Sequence, residues 1–141
     1  FEEAKKRNIG ILARVPMASG LLTGKMSKSS TFSEDDHRHF NRNGESFDKG
    51  ETFSGVDFET GLEAAEEIKA MVPDSITMAQ YALRWILMFD AVTCAIPGAK
   101  NPQQARDNTN SSDAPTLSDD EMAKIKDIYD RYIREPVHYL W

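Results

Sequence analysis

The chain has 141 residues, of which 40% are hydrophobic and 28% charged, and its formal net charge is −6. This length suits a single domain, and this composition argues against extensive disorder. The acidic balance gives the chain no electrostatic reason to bind nucleic acid or an anionic membrane, and no apolar stretch approaches the roughly 20 residues of a membrane helix, so we expect neither partner.

The N-terminal sequence FEEAKKRN has the pattern of a helix end. Lys5, Lys6 and Arg7 cluster where the helix dipole favours positive charge. A sequence that begins with the last turns of a helix is expected to lack the earlier turns of that helix and the polypeptide before them. We therefore expect residues 1–141 to be a single partial domain from a longer protein.

Residues 9–16, IGILARVP, are rich in branched apolar side chains and are predicted to form a buried strand. Small residues with glycines at 20 and 24 follow. Residues 26–56 then form a long polar connection with few periodic apolar positions. Such a connection is typical of a functional lid or of a disordered segment.

Two amphipathic helices are predicted next. The first runs from about 57 to 72 and is ended by Pro73. The second, TMAQYALRWILMF, begins with a capping box formed by Thr77 and Gln80. Its wide apolar face predicts deep burial and comprises Met78, Tyr81, Ala82, Trp85, Ile86 and Phe89.

A second buried strand is predicted over residues 91–97, AVTCAIP. It contains Cys94, the single cysteine, which we expect to be a small buried hydrophobe. One cysteine forms neither an internal disulfide nor a thiolate zinc site, so we expect a reduced, cytoplasmic setting.

Two further helices close the pattern. Asn101 at the N-cap with Pro102 at the first helical position predicts a short helix. Ser118 and Glu121 form a second capping box and begin the last helix. Its inward stripe is Met122, Ile125, Tyr129 and Tyr132. Residues 134–141, REPVHYLW, are a tail without periodicity.

This order of elements predicts an α/β fold that is helix-rich, with about two parallel strands in a sheet covered on both faces. Two strands do not complete such a sheet. We therefore expect its partner strands in a missing part of the polypeptide or in another chain.

The sequence AIPGAKNPQQARDN, residues 95–108, has two interpretations. A helix N-terminus presents unpaired amide groups and a positive dipole end, which attract anions. Gly98 lets a bulky group approach, Lys100 adds a charge, and Asn108 offers an amide toward an adenine edge. The alternative is a capped turn with a solvated lysine, and spacing alone favours it.

The sequence VPMASGLLTGK, residues 15–25, has a similar pair of interpretations. In the first, its small residues let amide groups line a pyrophosphate, with Lys25 as counter-charge. In the second, they form a flexible loop. The segment considered by itself favours the flexible loop. Both segments follow the ends of strands. In (β/α)8 barrels the loops after strands seven and eight commonly form a phosphate site.

Three segments together carry a family resemblance. ARVPMASGLLTGK, YALRWIL and AIPGAKNPQQARDN, in this order and spacing, resemble the C-terminal part of the aldo-keto reductase superfamily. The resemblance implies a C-terminal fragment of a TIM (β/α)8 barrel, with barrel strands seven and eight. It also implies NADP(H) as the cofactor and reduction of an aldehyde or ketone as the reaction.

The resemblance further implies which residues contact the dinucleotide. Near the nicotinamide and pyrophosphate it implies Arg14, Val15, Pro16, Met17, Ala18, Ser19 and Lys25. Near the adenosine phosphate and adenine it implies Gly98, Lys100, Gln104, Asp107 and Asn108. Val15 stands where the family often has Ser, which removes a side-chain hydrogen bond, and Asp107 replaces the commoner Glu. Arg38 is a further candidate within the long connection.

The family's catalytic Asp, Tyr, Lys and His map onto none of these residues, so the fragment alone is expected to be inactive. No histidine is expected to be catalytic, and no metal-ligand spacing occurs. Tyr81 is expected in the core. His138 and Trp141 are expected either to line the substrate pocket or to pack outside the barrel.

Two alternatives to a part of an enzyme stay open. One is a non-catalytic, nucleotide-sensing or regulatory module that keeps the dinucleotide loops. The other is a truncated remnant that folds by self-association. Function is decided by the site and not by the fold, so the fold alone does not separate them. The partner expected for the intact protein is a small carbonyl substrate.

Overall fold

The computed structural model describes residues 1–140 and contains a two-stranded parallel sheet. Strand β1 (Ile11–Ala13) pairs with strand β2 (Val92–Ala95), with Ala13 opposite Ala95. The amide of Ile96 donates to the carbonyl of Ala13 at 3.0 Å. Because the strands run in the same direction, both end at the same edge of the sheet. The predicted parallel pair is confirmed.

Helices make up most of the remaining structure. They are α1 (Glu2–Lys6), α2 (His37–Phe40), α3 (Phe58–Lys69), α4 (Met78–Leu87), α5 (Pro102–Asn110), α6 (Asp119–Ile128) and α7 (Arg134–Val137). Short 3₁₀ turns cover Ala18–Thr23, Lys49–Glu51, Phe53–Gly55, Ser111–Asp113 and His138–Leu140. Within residues 1–140 no helix is long and apolar enough to cross a membrane.

The predicted helix starts form as expected. Thr77 and Ser118 each complete a capping box with the residue three positions later. The side chain of Asn101 accepts the amide of Gln104 at 2.9 Å. These bonds satisfy amide groups that have no partner inside the helix, so each start is fixed by its local sequence.

The core forms where α3 and α4 pack against the segment that follows β1. Leu21, Phe53, Phe58 and Leu62 form one buried cluster. A Cβ atom at Gly61 would lie 2.8 Å from Cδ1 of Leu21, so the glycine lets this segment approach α3 closely. Tyr81 is 2% exposed, which confirms its predicted place in the core.

The two strands are not buried, which corrects the prediction. Leu12 in β1 is 62% exposed and Ile96, just after β2, is 53% exposed. Cys94 is half-buried instead of fully buried. The physical reason is that each strand has one neighbour within residues 1–140, so part of the apolar surface typical of a covered parallel sheet faces outward.

The connection 26–56 contains α2 and two 3₁₀ turns and buries several side chains. Asn41 is 0% exposed and Thr52 is 1% exposed. The carbonyl oxygen of the Asn41 side chain accepts the amides of Ser46 and Phe47 at 2.9 and 2.8 Å, and its amide donates to Thr52 Oγ1 at 3.3 Å. One buried polar side chain therefore organises the second half of the connection.

The last helix is shorter than its apolar stripe predicted. A π-helical segment, Tyr129–Ile133, follows α6 and leads into α7. Tyr132 donates its hydroxyl hydrogen bond to Glu67 of α3 at 2.6 Å, and Arg131 donates to the same carboxylate at 3.0 Å. These two polar contacts, which periodicity does not encode, fix the segment against α3.

Candidate functional site

The loops that follow the two strands start side by side. We call residues 14–25 the first loop and residues 96–101 the second loop. Ala13 and Ala95, the last residues of the strands, are opposite each other in the sheet. The structure thus brings the starts of the two predicted dinucleotide segments to one edge of the sheet, the edge where parallel α/β folds bind ligands.

The first loop has an unusual backbone. The φ angles of Val15, Ala18 and Ser19 are 49°, 46° and 54°. A β-branched residue at positive φ is rare, and each such residue costs on the order of 1–3 kcal/mol. The surrounding structure must therefore hold this loop in place, and such strain concentrates at ligand sites.

Ser19 is held by two hydrogen bonds from the connection. Nη1 of Arg38 donates to its carbonyl at 3.2 Å, and the amide of Phe53 donates to its Oγ at 3.1 Å. Arg14, predicted to lie near the dinucleotide, pairs through Nη2 with Glu51 Oε2 at 2.8 Å. Each of these contacts joins the first loop to the connection.

Arg38 is neither solvated nor free. Its guanidinium makes two hydrogen bonds to Asp36, at 2.9 and 2.6 Å, and lies 4.5 Å from the centre of the Phe32 ring. The side-chain hydrogen bond from Arg38 holds the pKa of the Asp36 carboxyl well below its usual range. In this structure Arg38 therefore holds protein groups together.

The other predicted residues of the first loop have distinct surroundings. The carbonyl of Met17 accepts the amides of Gly20 and Leu22 at 2.9 and 3.3 Å, which closes the turn. Val15, Pro16 and Ala18 line an apolar cavity of about 770 Å³. Lys25 is exposed at the far end of the loop.

In the second loop, Gly98 is exposed, and a Cβ built there would meet no atom within 4 Å. The amide of Lys100 donates to Oε1 of Gln104 at 2.7 Å. Nδ2 of Asn108 donates to the carbonyl of Gly98 at 3.2 Å. Two residues predicted to contact the cofactor, Gln104 and Asn108, thus also fix the loop against α5.

A smaller cavity adjoins the second loop. It has a volume of about 430 Å³, lies between α4, β2 and α5, and is lined by Cys94, Pro97, Ala105 and Asn108 among others. Asp107, predicted near the adenine, accepts a hydrogen bond from Gln103 at 2.8 Å. The cavity thus adjoins Pro97 of the second loop and Asn108 of α5, one of the residues predicted near the adenine.

Neither Lys25 nor Lys100 joins an ion pair anywhere in residues 1–140. Both side chains are exposed. These two cations are therefore available as counter-charges for a phosphate. Lys100 lies beside the open backbone at Gly98 and the start of α5, a combination that attracts a phosphate, whereas Lys25 is at the far end of the first loop.

The histidines form no catalytic or metal arrangement in the part of the chain that the structure describes. Nδ1 of His37 lies 3.2 Å from Thr52 Oγ1, and Nδ1 of His138 lies 2.7 Å from the Tyr129 hydroxyl. No group of three potential metal ligands occurs within residues 1–140. His138 is exposed, and Trp141 lies outside the described residues.

The large cavity is the feature that the sequence did not predict. Three helices and the π-helical segment surround it with apolar side chains, including Ala65, Ile68, Trp85, Ile86, Met122 and Tyr129. The stripes on these helices were recognisable, but they indicated a filled core. Periodicity shows which face of a helix is apolar and does not show what covers that face.

Comparison with known proteins places this geometry in context. The model of the aldo/keto reductase family matches residues 1–130. The L-glyceraldehyde 3-phosphate reductase of Escherichia coli K12 is 30% identical over the whole chain, and an uncharacterised oxidoreductase of Bacillus subtilis is 27% identical over 86% of it. The chain spans 38% and 35% of the lengths of these relatives.

Comparison with solved structures finds similar folds. A glycerol dehydrogenase of Gluconobacter oxydans aligns over 96% of the chain with a TM-score of 0.73 and 29% identity, and 38% of that structure is covered. An aldo-keto reductase of Bacillus halodurans aligns with a TM-score of 0.57 at 17% identity, which supports the fold alone. The predicted α/β class, helix-rich with two parallel strands and matching part of a barrel, is confirmed.

Proposed function

The chain belongs to the aldo/keto reductase family, and from this premise we propose that it is the C-terminal, cofactor-binding part of an NADP(H)-dependent oxidoreductase that reduces aldehydes or ketones. The observation that carries the proposal is the parallel pairing of β1 and β2, which starts both loops at one edge of the sheet. The names of two relatives, a reductase of a phosphorylated aldehyde and a glycerol dehydrogenase, both describe interconversion of a carbonyl and an alcohol.

The first loop contributes the surface for the nicotinamide and pyrophosphate. Contacts from the connection hold its strained backbone at Val15, Ala18 and Ser19, and a loop held in its binding conformation lowers the entropy cost of binding. Arg14 exchanges Glu51 for a phosphate oxygen, and Lys25 adds a second positive charge. Neither side chain needs to move a buried group to do so, since both are exposed.

The second loop contributes the adenosine phosphate end. The start of α5 supplies a positive dipole end, and Gly98 leaves room for a phosphate to approach the backbone. Lys100 neutralises the phosphate charge. Asp107 and Asn108 lie one to two turns further along α5, where the adenine would sit against the smaller cavity.

When bound, the nicotinamide supplies the hydride. The residues of the two loops hold the dinucleotide, and they do not donate the proton that the product alcohol requires. We place that acid, with the residues that tune its pKa, elsewhere in the polypeptide. The 141-residue chain by itself is therefore expected to be inactive.

An activity assay tests the proposal. The product of the full reading frame that contains this chain is incubated with NADPH and a panel of small aldehydes and ketones, and NADPH consumption is followed. The expected result is carbonyl-dependent oxidation of NADPH by that product and none by residues 1–141 alone. Activity of the 141-residue chain, or no turnover of any carbonyl by the longer product, contradicts the proposal. Binding of NADPH without turnover would instead favour the sensing module.

A further inference from the structure

Ser19 joins the first loop to the connection 26–56 through both of its polar groups. Its carbonyl accepts Nη1 of Arg38 at 3.2 Å, and its Oγ accepts the amide of Phe53 at 3.1 Å. The residue has a φ of 54°, which is unfavourable for a residue other than glycine and persists only where neighbouring contacts stabilise it. These contacts are what holds it.

Arg38 is well suited to hold another group because it is itself immobilised. Asp36 accepts its Nε, its Nη2 and its backbone amide at 2.9, 2.6 and 2.9 Å. Each side chain of the pair is 20% exposed. The guanidinium also lies over the ring of Phe32, 4.5 Å from its centre, so packing adds to the polar contacts.

A glycine next to Ser19 serves the backbone conformation of the first loop where Arg38 contacts it. Gly20 has a φ of +103°, and a Cβ there would lie 3.4 Å from Nη1 of Arg38 and 2.6 Å from Cε of Met26. A side chain at position 20 would thus be strained and would displace Met26. Gly20, the partly buried ion pair of Asp36 with Arg38, and Ser19 at positive φ are therefore in contact with one another or adjacent in the chain.

We propose that Arg38 is a positioning residue: by holding the Ser19 carbonyl it keeps the first loop in the strained conformation that receives the dinucleotide. This inference rests on the proposed function, since the first loop is the proposed nicotinamide and pyrophosphate surface. Arg38 acts through Ser19 and does not itself touch the ligand. A direct contact between Arg38 and a phosphate is the competing explanation, and the two differ in what happens before the ligand is added.

The experiment compares Arg38→Met and Arg38→Lys in the product of the full reading frame. Methionine keeps much of the packing on Phe32 and removes every donor, whereas lysine reaches either Asp36 or Ser19 but does not replace the planar fork. Arg134→Met is the matched control, because Arg134 pairs with Asp130 on the exposed side of the π-helical segment. Thermal unfolding first establishes that each variant is folded.

Two quantities are then measured. Without NADPH, hydrogen exchange is followed at the amides of Gly20 and Leu22, which donate to the Met17 carbonyl within the first loop. NADPH affinity and the KM and kcat of carbonyl reduction are measured on the same proteins. We expect Arg38→Met to speed exchange at both amides and to weaken NADPH binding by roughly tenfold, through KM more than through kcat. Arg38→Lys should give intermediate values, and Arg134→Met should match the wild type.

Faster exchange together with weaker binding supports the inference. Weaker binding with unchanged exchange overturns it, because Arg38 then contacts the dinucleotide directly. Faster exchange with unchanged affinity also overturns it, because the loop conformation then does not matter for binding. If the wild type fails to bind NADPH, the proposed function fails, and exchange at Gly20 and Leu22 still reports whether Arg38 holds the loop.

Discussion

Lys100 is the residue whose proposed role is most specific. It is exposed beside the start of α5, and its backbone amide is already satisfied by Gln104. Its side chain is therefore the part of the residue that a ligand would use. If that ligand is the 2′-phosphate of the adenosine ribose, the lysine distinguishes NADPH from NADH.

Lys100→Glu in the product of the full reading frame should weaken NADPH binding by at least roughly tenfold and NADH binding by much less, since a like charge replaces an opposite one beside the extra phosphate. Fluorescence titration with each nucleotide measures both affinities. Lys6→Glu on α1 makes the same change in net charge and serves as the control. Equal losses for NADPH and NADH would refute the assignment of Lys100 to the 2′-phosphate.

Tyr81 shows how a polar atom is accommodated in the core. Its ring is buried, and its hydroxyl donates to Glu121 Oε1 at 3.0 Å. Burial, followed by the bond to Glu121, raises the pKa of this tyrosine above its usual value. The bond joins α4 to the first turn of α6.

Tyr81→Phe should lower the free energy of unfolding by about 1 kcal/mol, the usual net value of one hydrogen bond. Urea denaturation measures the change. Tyr139→Phe is the matched control, because Tyr139 is 78% exposed and loses no buried bond. If the two variants have the same free energy of unfolding, the hydrogen bond from Tyr81 to Glu121 does not stabilise the folded protein.

At the scale of elements, local sequence predicted the starts of the helices well, because a few adjacent residues determine each helix N-terminus. Thr77 with Gln80, Ser118 with Glu121, and Asn101 before Pro102 all formed the bonds that their spacing indicated. Short segments also predicted the two candidate loops, and the structure brings the starts of these loops side by side. What local sequence did not contain was the long-range contacts, such as Arg38 with Ser19 and Arg14 with Glu51.

The π-helical segment is a second case of long-range control. Arg131 and Tyr132 lie 64 and 65 positions from Glu67, the residue that both contact. The side-chain hydrogen bond from Arg131, and then that from Tyr132, lowers the pKa of Glu67 to about 2. The stripe of apolar residues predicted an uninterrupted helix because it carried no information about this carboxylate.

Glu67→Gln should loosen the segment, because a neutral amide replaces the carboxylate that pairs with Arg131. The folded pKa lies below the unfolded value of roughly 4.3, so the contribution of Glu67 is complete above about pH 5 and is lost as the pH falls through 4 toward 2. The difference in unfolding free energy between wild type and variant should therefore be constant from about pH 5 to 8 and shrink below about pH 4.

Urea denaturation across this pH range makes the measurement, with Glu63→Gln as the control on the exposed side of α3. A difference that stays the same down to about pH 2, or that grows as the pH falls, would show that the Glu67 carboxylate does not stabilise the folded state.

The molecule as a whole carries apolar surface where a larger sheet would continue. Leu12 and Ile96 are 62% and 53% exposed, and each strand has one neighbour among residues 1–140. Unpaired strand edges with apolar side chains pair readily with another chain. The chain spans 35% to 38% of the lengths of the relatives described above, and those relatives therefore have further chain beyond the part that matches this surface.

The 141-residue chain expressed alone should therefore self-associate, and Leu12→Lys should shift it toward the monomer. Sedimentation equilibrium at several concentrations measures the mass. Tyr139→Lys is the control, since Tyr139 is more exposed than Leu12 but lies outside the sheet. A chain that is monomeric at every concentration, or whose association Leu12→Lys leaves unchanged, would contradict this expectation.

The central claim is that the two loops form one dinucleotide site, and its most direct test is a hydrogen-exchange footprint of NADPH on the product of the full reading frame. We predict that NADPH slows amide exchange in the first loop, residues 14–25, and in the second loop, residues 96–101, with α5 up to Asn108, at the same nucleotide concentration. Residues 134–140 should be unchanged. Protection of one loop without the other, or of neither, would contradict the account.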